Sequence, residues 1–300
     1  MRAMKTQKTR PGARLVTVCS VVGITAAVLV LTALAQGQTF FSKQSTVPAG
    51  AYWTVTNDHG SDGRDLVLKR WTGSAWTALK SNITDTKAND SHLAFGVPVY
   101  AIADGEVMTC WRNAPENTFA GAVMPGRDGC SDEEPKDGNV CDQHRTCSCS
   151  IPRSGNHVNV RLPDGKLILY AHLQSGSVPA RICPNNGTAV ADANSKSGPN
   201  GFVPEIWVPE GKRAKITKGQ FLGNVGNNGA SSGPHLHIHK TACDTSDCDS
   251  VPLLFSGMMA SDGVDGTKDI NGQKWKLLSP YGSLSGPPQL IKFGGLAVTN

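Results

Sequence analysis

The sequence predicts an all-β fold built mainly from antiparallel strands. Short runs of β-branched and aromatic residues alternate with Gly, Asn, Asp and Pro turns, as expected for strands joined by short connections. Helical periodicity is almost absent after residue 35. Asp-Gly turns at 104–105 and 164–165 lie between apolar runs and indicate β-hairpins.

Six runs predict the principal strands. Each is a short apolar run or alternates apolar with polar residues. In chain order the runs are Tyr52–Thr56, Leu66–Trp71, Pro98–Ala103, Glu106–Met108, His157–Leu162 and Lys166–Leu173. Because consecutive runs are separated by turn residues, we expect them to pair as hairpins.

Residues 1–35 have the composition of an export signal. Met1 to Arg14 carries five basic residues and no acid, and the uncharged run that follows closes on Ala-Leu-Ala at Ala35. This arrangement is typical of a secretory signal peptide cleaved after Ala35. The apolar run is also about long enough to span a bilayer, so an uncleaved membrane anchor is the alternative. Either way we expect a secreted or periplasmic, cell-envelope protein.

Net charge gives no reason to expect a nucleic-acid partner. The chain has 29 basic and 24 acidic residues, and five of the basic residues belong to the leader. The remainder, with 24 of each, is formally neutral. We expect membrane contact only if the leader stays attached.

Eight cysteines follow the leader, and an even number in an exported chain predicts up to four disulfides. Cys243 and Cys248 flank a short acidic loop and are candidates for a local pair, while the other pairings cannot be deduced. The rival interpretation is a structural zinc site formed by Cys141, His144, Cys147 and Cys149. The single-residue spacer between the last two favours disulfides, because zinc knuckles usually have two residues there.

Strand signals divide the chain into four parts. Residues 36–85 form a polar linker followed by one or two hairpins. Residues 86–250 hold the densest strand signals, interrupted by loop insertions at 111–150, which is Cys-rich, and at 183–205. Residues 251–300 form a turn-rich extension with weak strands.

Histidines 235, 237 and 239 alternate with Leu236 and Ile238 in one short run. Successive side chains of a strand point to opposite faces, so the three imidazoles share one face and the two aliphatic residues turn toward a core. Imidazoles on a half-buried strand suit a divalent metal, most often zinc. The alternative is an ordinary polar strand face.

Five blocks of sequence follow one another in a recognisable order. They are Gly96–Ala101, Gly155–Val158, Leu169–Leu173, Lys218–Gly226 and Ser232–His237. In this order they resemble the lysostaphin-type M23 family of zinc endopeptidases, which cut peptide bridges in peptidoglycan. The resemblance spans roughly residues 86–240. It implies antiparallel sheets that form a groove, Zn2+ as cofactor and peptidoglycan peptides as the binding partner.

The resemblance also implies unequal roles for the histidines. His237 corresponds to a zinc ligand, whereas His235 and His172 correspond to the catalytic pair that orients or deprotonates water and stabilises the oxyanion. Zinc lowers the pKa of bound water to about 7, and an imidazole titrates in the range needed to move its proton. No activated Ser or Cys nucleophile is visible, so we expect direct attack by water without a covalent intermediate.

The remaining ligands of the family come from an H-x-x-x-D motif, and here the sequence departs from the pattern. Counting back without gaps from Gly96, Asp90 occupies the aspartate position, but Thr86 stands where the histidine is expected. The nearest histidine is His92, which would share one strand face with Asp90. We therefore predict Asp90, His92 and His237 as the metal ligands. A site completed by His59 or His239 and a degenerate site are the alternatives.

These observations favour an exported zinc-dependent endopeptidase that hydrolyses peptide bonds in peptidoglycan. Thr86 favours a second hypothesis, a catalytically impaired M23-like domain that binds the cell wall or regulates another hydrolase. The matching histidines at 172, 235 and 237 favour the enzyme. A third hypothesis, prompted by His239 and the tryptophans, is a secreted metal-binding or carbohydrate-binding β protein.

Overall fold

The computed structural model describes the chain in seven segments that together hold the predicted site residues. They are 41–59, 63–121, 151–187, 198–253, 258–261, 263–278 and 289–293. The predicted leader and the cluster from Cys141 to Cys149 lie outside the described residues. Within the described segments, no helix is long and apolar enough to cross a membrane.

Strands make up the regular structure of these segments. They are β1 (Ala51–His59), β2 (Gly63–Trp71), β3 (Trp76–Thr77), β4 (Pro98–Tyr100), β5 (Gly105–Trp111), β6 (His157–Arg161), β7 (Leu167–Ala171), β8 (Lys215–Ile216), β9 (Phe221–Asn224), β10 (Leu236–Thr241), β11 (Ser250–Val251), β12 (Met258–Ser261), β13 (Trp275–Leu278) and β14 (Gln289–Phe293). Single turns of 3-10 helix occur at Gln44–Thr46, Asn89–Ser91, Pro199–Gly201, Pro204–Ile206 and Glu210–Lys212. The predicted all-β class is confirmed.

A large antiparallel sheet places the histidine strand near its centre. The strand order is β13-β12-β14-β1-β2-β10-β7-β6-β5-β8, and β4 and β9 form a separate two-stranded sheet. Strand β10 lies between β2 and β7, with His237 opposite Asp65 on one side and Ala171 on the other. Leu236 and Ile238 are fully buried. Because a shift of one residue would exchange the two faces of β10, this burial fixes which face the histidines occupy.

The core lies against one face of this sheet. Alternate residues of neighbouring strands are buried there, namely Leu66, Leu68, Val158, Val160, Ile168, Tyr170, Leu236 and Ile238. The Tyr170 hydroxyl accepts a hydrogen bond from the Ile102 amide at 2.9 Å and so ties the sheet to the chain after β4. Phe41, which falls in the predicted polar linker, is also fully buried and packs edge-on against Trp53 at 5.1 Å between ring centroids. The opposite face of the sheet is left for a site.

One of the two Asp-Gly turns connects a hairpin and the other does not. Strands β6 and β7 pair across residues 163–165, as predicted. By contrast, β4 pairs with β9, and β5 pairs with β6 and β8. The Asp104 carboxylate accepts a hydrogen bond from the Lys218 amide at 2.6 Å, and a Cβ at Gly105 would come within 2.4 Å of the Arg161 carbonyl oxygen. This dipeptide therefore serves as a crossover between the two sheets.

Two disulfides occur in the described segments. The predicted local pair Cys243–Cys248 is confirmed. Cys110 of β5 pairs with Cys183, at the start of the second insertion, across 73 residues of sequence. Disulfides form and persist in oxidising compartments, so both pairs are consistent with an extracytoplasmic location.

Candidate active site

A cleft of about 700 Å³ lies on the face of the sheet opposite the core. Leu169 and Ala171 of β7 line it together with His237 and His239 of β10, and His172 lies beside them. Phe202 and Val203 from the second insertion, with Ile206 just after it, contribute apolar side chains to the same cleft. The cleft is thus an apolar groove with imidazoles at one part of its lining.

Asp65 is the acidic residue that the structure places against the histidine strand. Its Oδ1 lies 2.9 Å from His237 Nδ1 and 3.4 Å from His235 Nε2. Burial opposes ionisation of this carboxyl group, but the hydrogen bonds and charges of the two histidines outweigh it and hold the pKa of Asp65 well below its usual range. Asp65 is therefore a carboxylate that faces two imidazoles in a largely buried setting.

His237 is held from both sides of its ring. Its Nδ1 faces Asp65, and its Nε2 lies 2.8 Å from His239 Nδ1. The strand register explains both contacts, because residues directly opposite on paired strands and residues two apart on one strand share a face. A metal-binding histidine usually donates a hydrogen bond from the N–H of its other ring nitrogen. His239 Nδ1 can accept such a bond from His237 Nε2.

His235 presents its Nε2 toward Asp65. Its Nδ1 lies 2.8 Å from the Gly233 carbonyl oxygen and 3.2 Å from Ser231 Oγ. A carbonyl only accepts, so Nδ1 carries a hydrogen. Nε2 faces a carboxylate oxygen, so either a hydrogen on Nε2 or a bound cation lies between the two groups.

His172 is oriented by the backbone. Its φ of 60° is a left-handed conformation, uncommon for a residue other than glycine and frequent at functional sites. Its Nδ1 lies 2.7 Å from the Asn228 carbonyl oxygen, so Nδ1–H donates and Nε2 is left as an acceptor. Burial, with the charges of His235 and His237, holds the pKa of His172 well below its usual range. The ring is neutral and lies 4.6 Å from that of His235, between centroids.

Asp90 and His92 lie on a different segment from these groups. Asp90 is in the 3-10 turn Asn89–Ser91, and the backbone of His92 forms a bridge with Leu79. Burial lowers the pKa of His92, partly offset by a hydrogen bond to the Thr86 backbone. Within the described residues, no group of three or more His, Cys, Asp or Glu side chains is close enough to hold a metal ion. The structure therefore does not bring Asp90 and His92 together with His237.

His59 is the remaining sequence-predicted candidate. It is the last residue of β1 and pairs with Gly63, while Asn57 pairs with Asp65. Gly63, its partner, lines the cleft.

Comparisons with known proteins identify no family for this chain. No protein-family model matches the sequence, and no curated protein is similar enough to count as a relative. A zinc-containing peptidase from Vibrio cholerae is similar at a TM-score of 0.23 and 13% identity, covering 60% of this chain and 46% of that one. Csd3 from Helicobacter pylori gives a TM-score of 0.19 and 13% identity, covering 60% and 39%.

A third solved structure is a mutant catalytic domain of the prophage-encoded M23 protein EnpA from Enterococcus faecalis. Its TM-score is 0.21 and its identity 17%, covering 66% of this chain and 93% of that one. The alignment spans less than half the length of the first two structures. At these values the comparisons support no inference about the residues, activity or substrate of this chain.

Proposed function

We propose that this chain is an exported zinc-dependent endopeptidase that hydrolyses peptide bonds in peptidoglycan. The observation that carries the proposal is the cluster of Asp65, His235, His237 and His172, in which His172 and His237 line the apolar cleft. The ordered motifs described above support the same reaction and the same substrate class. The two disulfides are consistent with action outside the cytoplasm.

The donor atoms at this site suit zinc. Catalytic zinc sites commonly combine two imidazoles and one carboxylate. His237 Nδ1 and Asp65 Oδ1, 2.9 Å apart, would be two of the ligands. We propose His59 as the third, because its backbone pairs with Gly63, two residues before Asp65. His235 Nε2 lies 3.4 Å from the same carboxylate oxygen, so it is the imidazole nearest to the proposed metal after His237. When bound, zinc would polarise the scissile carbonyl and lower the pKa of a water molecule.

The two remaining histidines would move the proton. His172 is neutral, its Nδ1–H is committed to Asn228, and its Nε2 is an acceptor. It can therefore take a proton from an attacking water and pass it to the leaving amine. His235 lies beside it, with its Nε2 directed to the same region, and would orient the water or stabilise the developing negative charge.

The cleft suits an extended peptide. Leu169, Ala171 and Phe202 give it an apolar lining, while the imidazoles lie along β10 and at the end of β7. Pockets of this kind, mostly apolar with a few convergent polar groups, are typical of small-molecule and substrate sites. The peptide would lie on the sheet face, with its scissile bond beside His172 and His235.

Digestion of purified peptidoglycan tests the proposal. We expect soluble peptides to be released by the purified chain loaded with zinc, and release to stop when a chelator is added. His237→Ala should lose both metal and activity, whereas His235→Ala should keep the metal and lose turnover. Stoichiometric zinc in His237→Ala, or digestion that continues under the chelator, would contradict the assignment.

One observation favours the second hypothesis, a domain that binds cell wall without cleaving it. The described residues supply no complete three-donor group. A cosedimentation assay with insoluble peptidoglycan separates the two functions. The binder predicts retention on the wall, no released peptides and no zinc after supplementation, whereas the enzyme predicts one zinc per chain and release.

A further inference from the structure

We propose that Glu116 is a positioning residue that holds the 226–229 loop so that the Asn228 carbonyl orients His172 for proton transfer. The inference rests on the proposed function for the role of His172. It concerns a residue in the first insertion that no motif singles out.

The Glu116 carboxylate accepts three hydrogen bonds from two separate loops. Its Oε1 accepts from the Ser175 amide at 2.6 Å and from Asn228 Nδ2 at 3.2 Å. Its Oε2 accepts from the Asn227 amide at 2.5 Å. Both oxygens of one side chain therefore join the turn after β7 to the loop that precedes the histidine strand.

Asn228 connects Glu116 to His172. Its side chain donates to the Leu173 carbonyl at 2.6 Å and accepts from the Asn156 amide at 2.7 Å, so its position is set from three sides. Its backbone carbonyl, in turn, accepts from His172 Nδ1 at 2.7 Å. The chain of contacts runs from carboxylate to amide to carbonyl to imidazole without a gap.

The close packing of this loop leaves little room for another arrangement. A Cβ at Gly226 would come within 2.5 Å of the Gln174 backbone and within 2.9 Å of Glu116 Oε1. The Gly226 amide also donates to the His172 carbonyl at 2.8 Å. His172 is thereby held on its backbone and on its ring by the same loop, in a left-handed conformation that few residues adopt unaided.

A carboxylate suits position 116 because the three recorded hydrogen-bond partners of Glu116 are all donors. An ionised carboxylate only accepts, whereas the amide of glutamine also donates. In Glu116→Gln, one face of the side chain would present N–H groups to the Asn227 or Ser175 amide. The loop must then move, and the carbonyl of Asn228 with it. A misplacement of about 1 Å at a reacting group can slow catalysis about 100-fold.

The experiment measures the tautomer of His172 and the kinetics of Glu116→Gln together. Long-range 1H–15N spectra of the purified, histidine-labelled chain report which ring nitrogen carries the hydrogen. The His172 signal is identified by its loss in His172→Asn. We expect the wild type to show only the Nδ1–H form and Glu116→Gln to show a mixture. The variant's kcat should fall about 10- to 100-fold, with KM within about twofold and zinc content unchanged.

Two further variants complete the design. Glu210→Gln changes an exposed acid in the Glu210–Lys212 turn and should match the wild type in every measurement. Glu116→Asp keeps the charge on a shorter side chain, so its tautomer ratio and kcat should fall between those of the wild type and Glu116→Gln. It also keeps the test open if the glutamine variant does not fold.

The outcomes separate this inference from the proposed function. If the chain shows no hydrolytic activity but the His172 tautomer changes in Glu116→Gln, the endopeptidase proposal is contradicted and the positioning role of Glu116 is supported. A pure Nδ1–H tautomer with wild-type kcat in folded Glu116 variants would overturn the inference. So would loss of zinc together with kcat, because Glu116 would then act on the metal ligands instead of on His172.

Discussion

The two halves of the cleft are held in place by different means. The proposed metal half, Asp65 with His235 and His237, is centred on paired strands β2 and β10, where the ladder fixes the residues opposite each other. The proton-transfer half, His172, follows the end of β7 and is oriented by a loop carbonyl. Strand alternation thus suffices to group the first half, whereas the second depends on loop packing. The two halves should also fail separately when mutated.

The largest effect is expected from breaking the metal half. Asp65→Asn keeps the shape of the side chain but removes the negative charge that faces the two imidazoles. We expect hydrolysis to fall to the level of chelator-treated wild type, because a neutral amide is a poor replacement for a carboxylate ligand. Release of peptides from peptidoglycan measures this. Asp164→Asn, in the turn between β6 and β7, is the matched control and should stay fully active.

Breaking the proton-transfer half should spare the metal. Asparagine tolerates the left-handed backbone better than most residues, so His172→Asn is expected to fold. We expect kcat to fall about 10²- to 10⁴-fold, the range contributed by a general acid–base group. Zinc per chain should be unchanged. A variant that loses its zinc, or one that turns over normally, would show that the two halves are not separable.

The pH dependence of stability should sharpen the comparison, since His157 supports the loop half. Its Nδ1 donates to the Gly155 carbonyl at 2.8 Å, and complete burial lowers the pKa of His157 from 6.5 to about 4. Below pH 6.5 the unfolded chain binds the proton and the folded chain does not, so the free energy of unfolding falls as the pH drops toward 4. The loss is roughly 3 kcal/mol from this group.

Urea unfolding at several pH values, with chelator present to remove metal linkage, measures this dependence. His157→Gln lacks the titrating ring and should show a flatter profile between pH 6.5 and 4. His172, whose pKa is also lowered by burial, adds to the slope in both proteins and does not affect their difference. If the free energy of unfolding has the same pH dependence in both proteins, burial does not lower the pKa of His157 and the prediction is wrong.

The smallest effect is expected at the edge of the metal half. His239→Ala removes the group 2.8 Å from His237 Nε2 and leaves the ligands in place. Outer hydrogen-bond partners of metal ligands commonly contribute 10- to 100-fold in affinity, so we expect a weakening of about this size. Competition with a chromogenic chelator measures it. His239→Gln, which can still accept a hydrogen bond, should recover part of the loss, and equal affinities in all three proteins would exclude this role.

The sequence pattern predicted those features that depend on local periodicity. Alternation in β10 correctly predicted that Leu236 and Ile238 are buried. The β6–β7 hairpin and the Cys243–Cys248 pair were also predicted, because each joins residues close together in the sequence. Such features are encoded within a few residues, so they can be read without knowing the fold.

Contacts between residues far apart in the sequence could not be predicted from the sequence pattern. Asp65 and His237 are 172 residues apart, and only the register between β2 and β10 brings them together. Ungapped counting from Gly96 predicts Asp90, which lies in the Asn89–Ser91 turn, and it assumes that no residues are inserted between that turn and Gly96. Glu116 acts through amides and carbonyls, groups that every residue carries, so no side-chain pattern marks it.

Zinc content measured by elemental analysis in three proteins tests the central claim most directly. The wild type, Asp65→Asn and Asp90→Asn are each loaded with zinc, dialysed and compared. Our account predicts one zinc per chain in the wild type and in Asp90→Asn, and almost none in Asp65→Asn. Zinc retained in Asp65→Asn but lost in Asp90→Asn would contradict it and place the metal on the segment from Asn89 to His92.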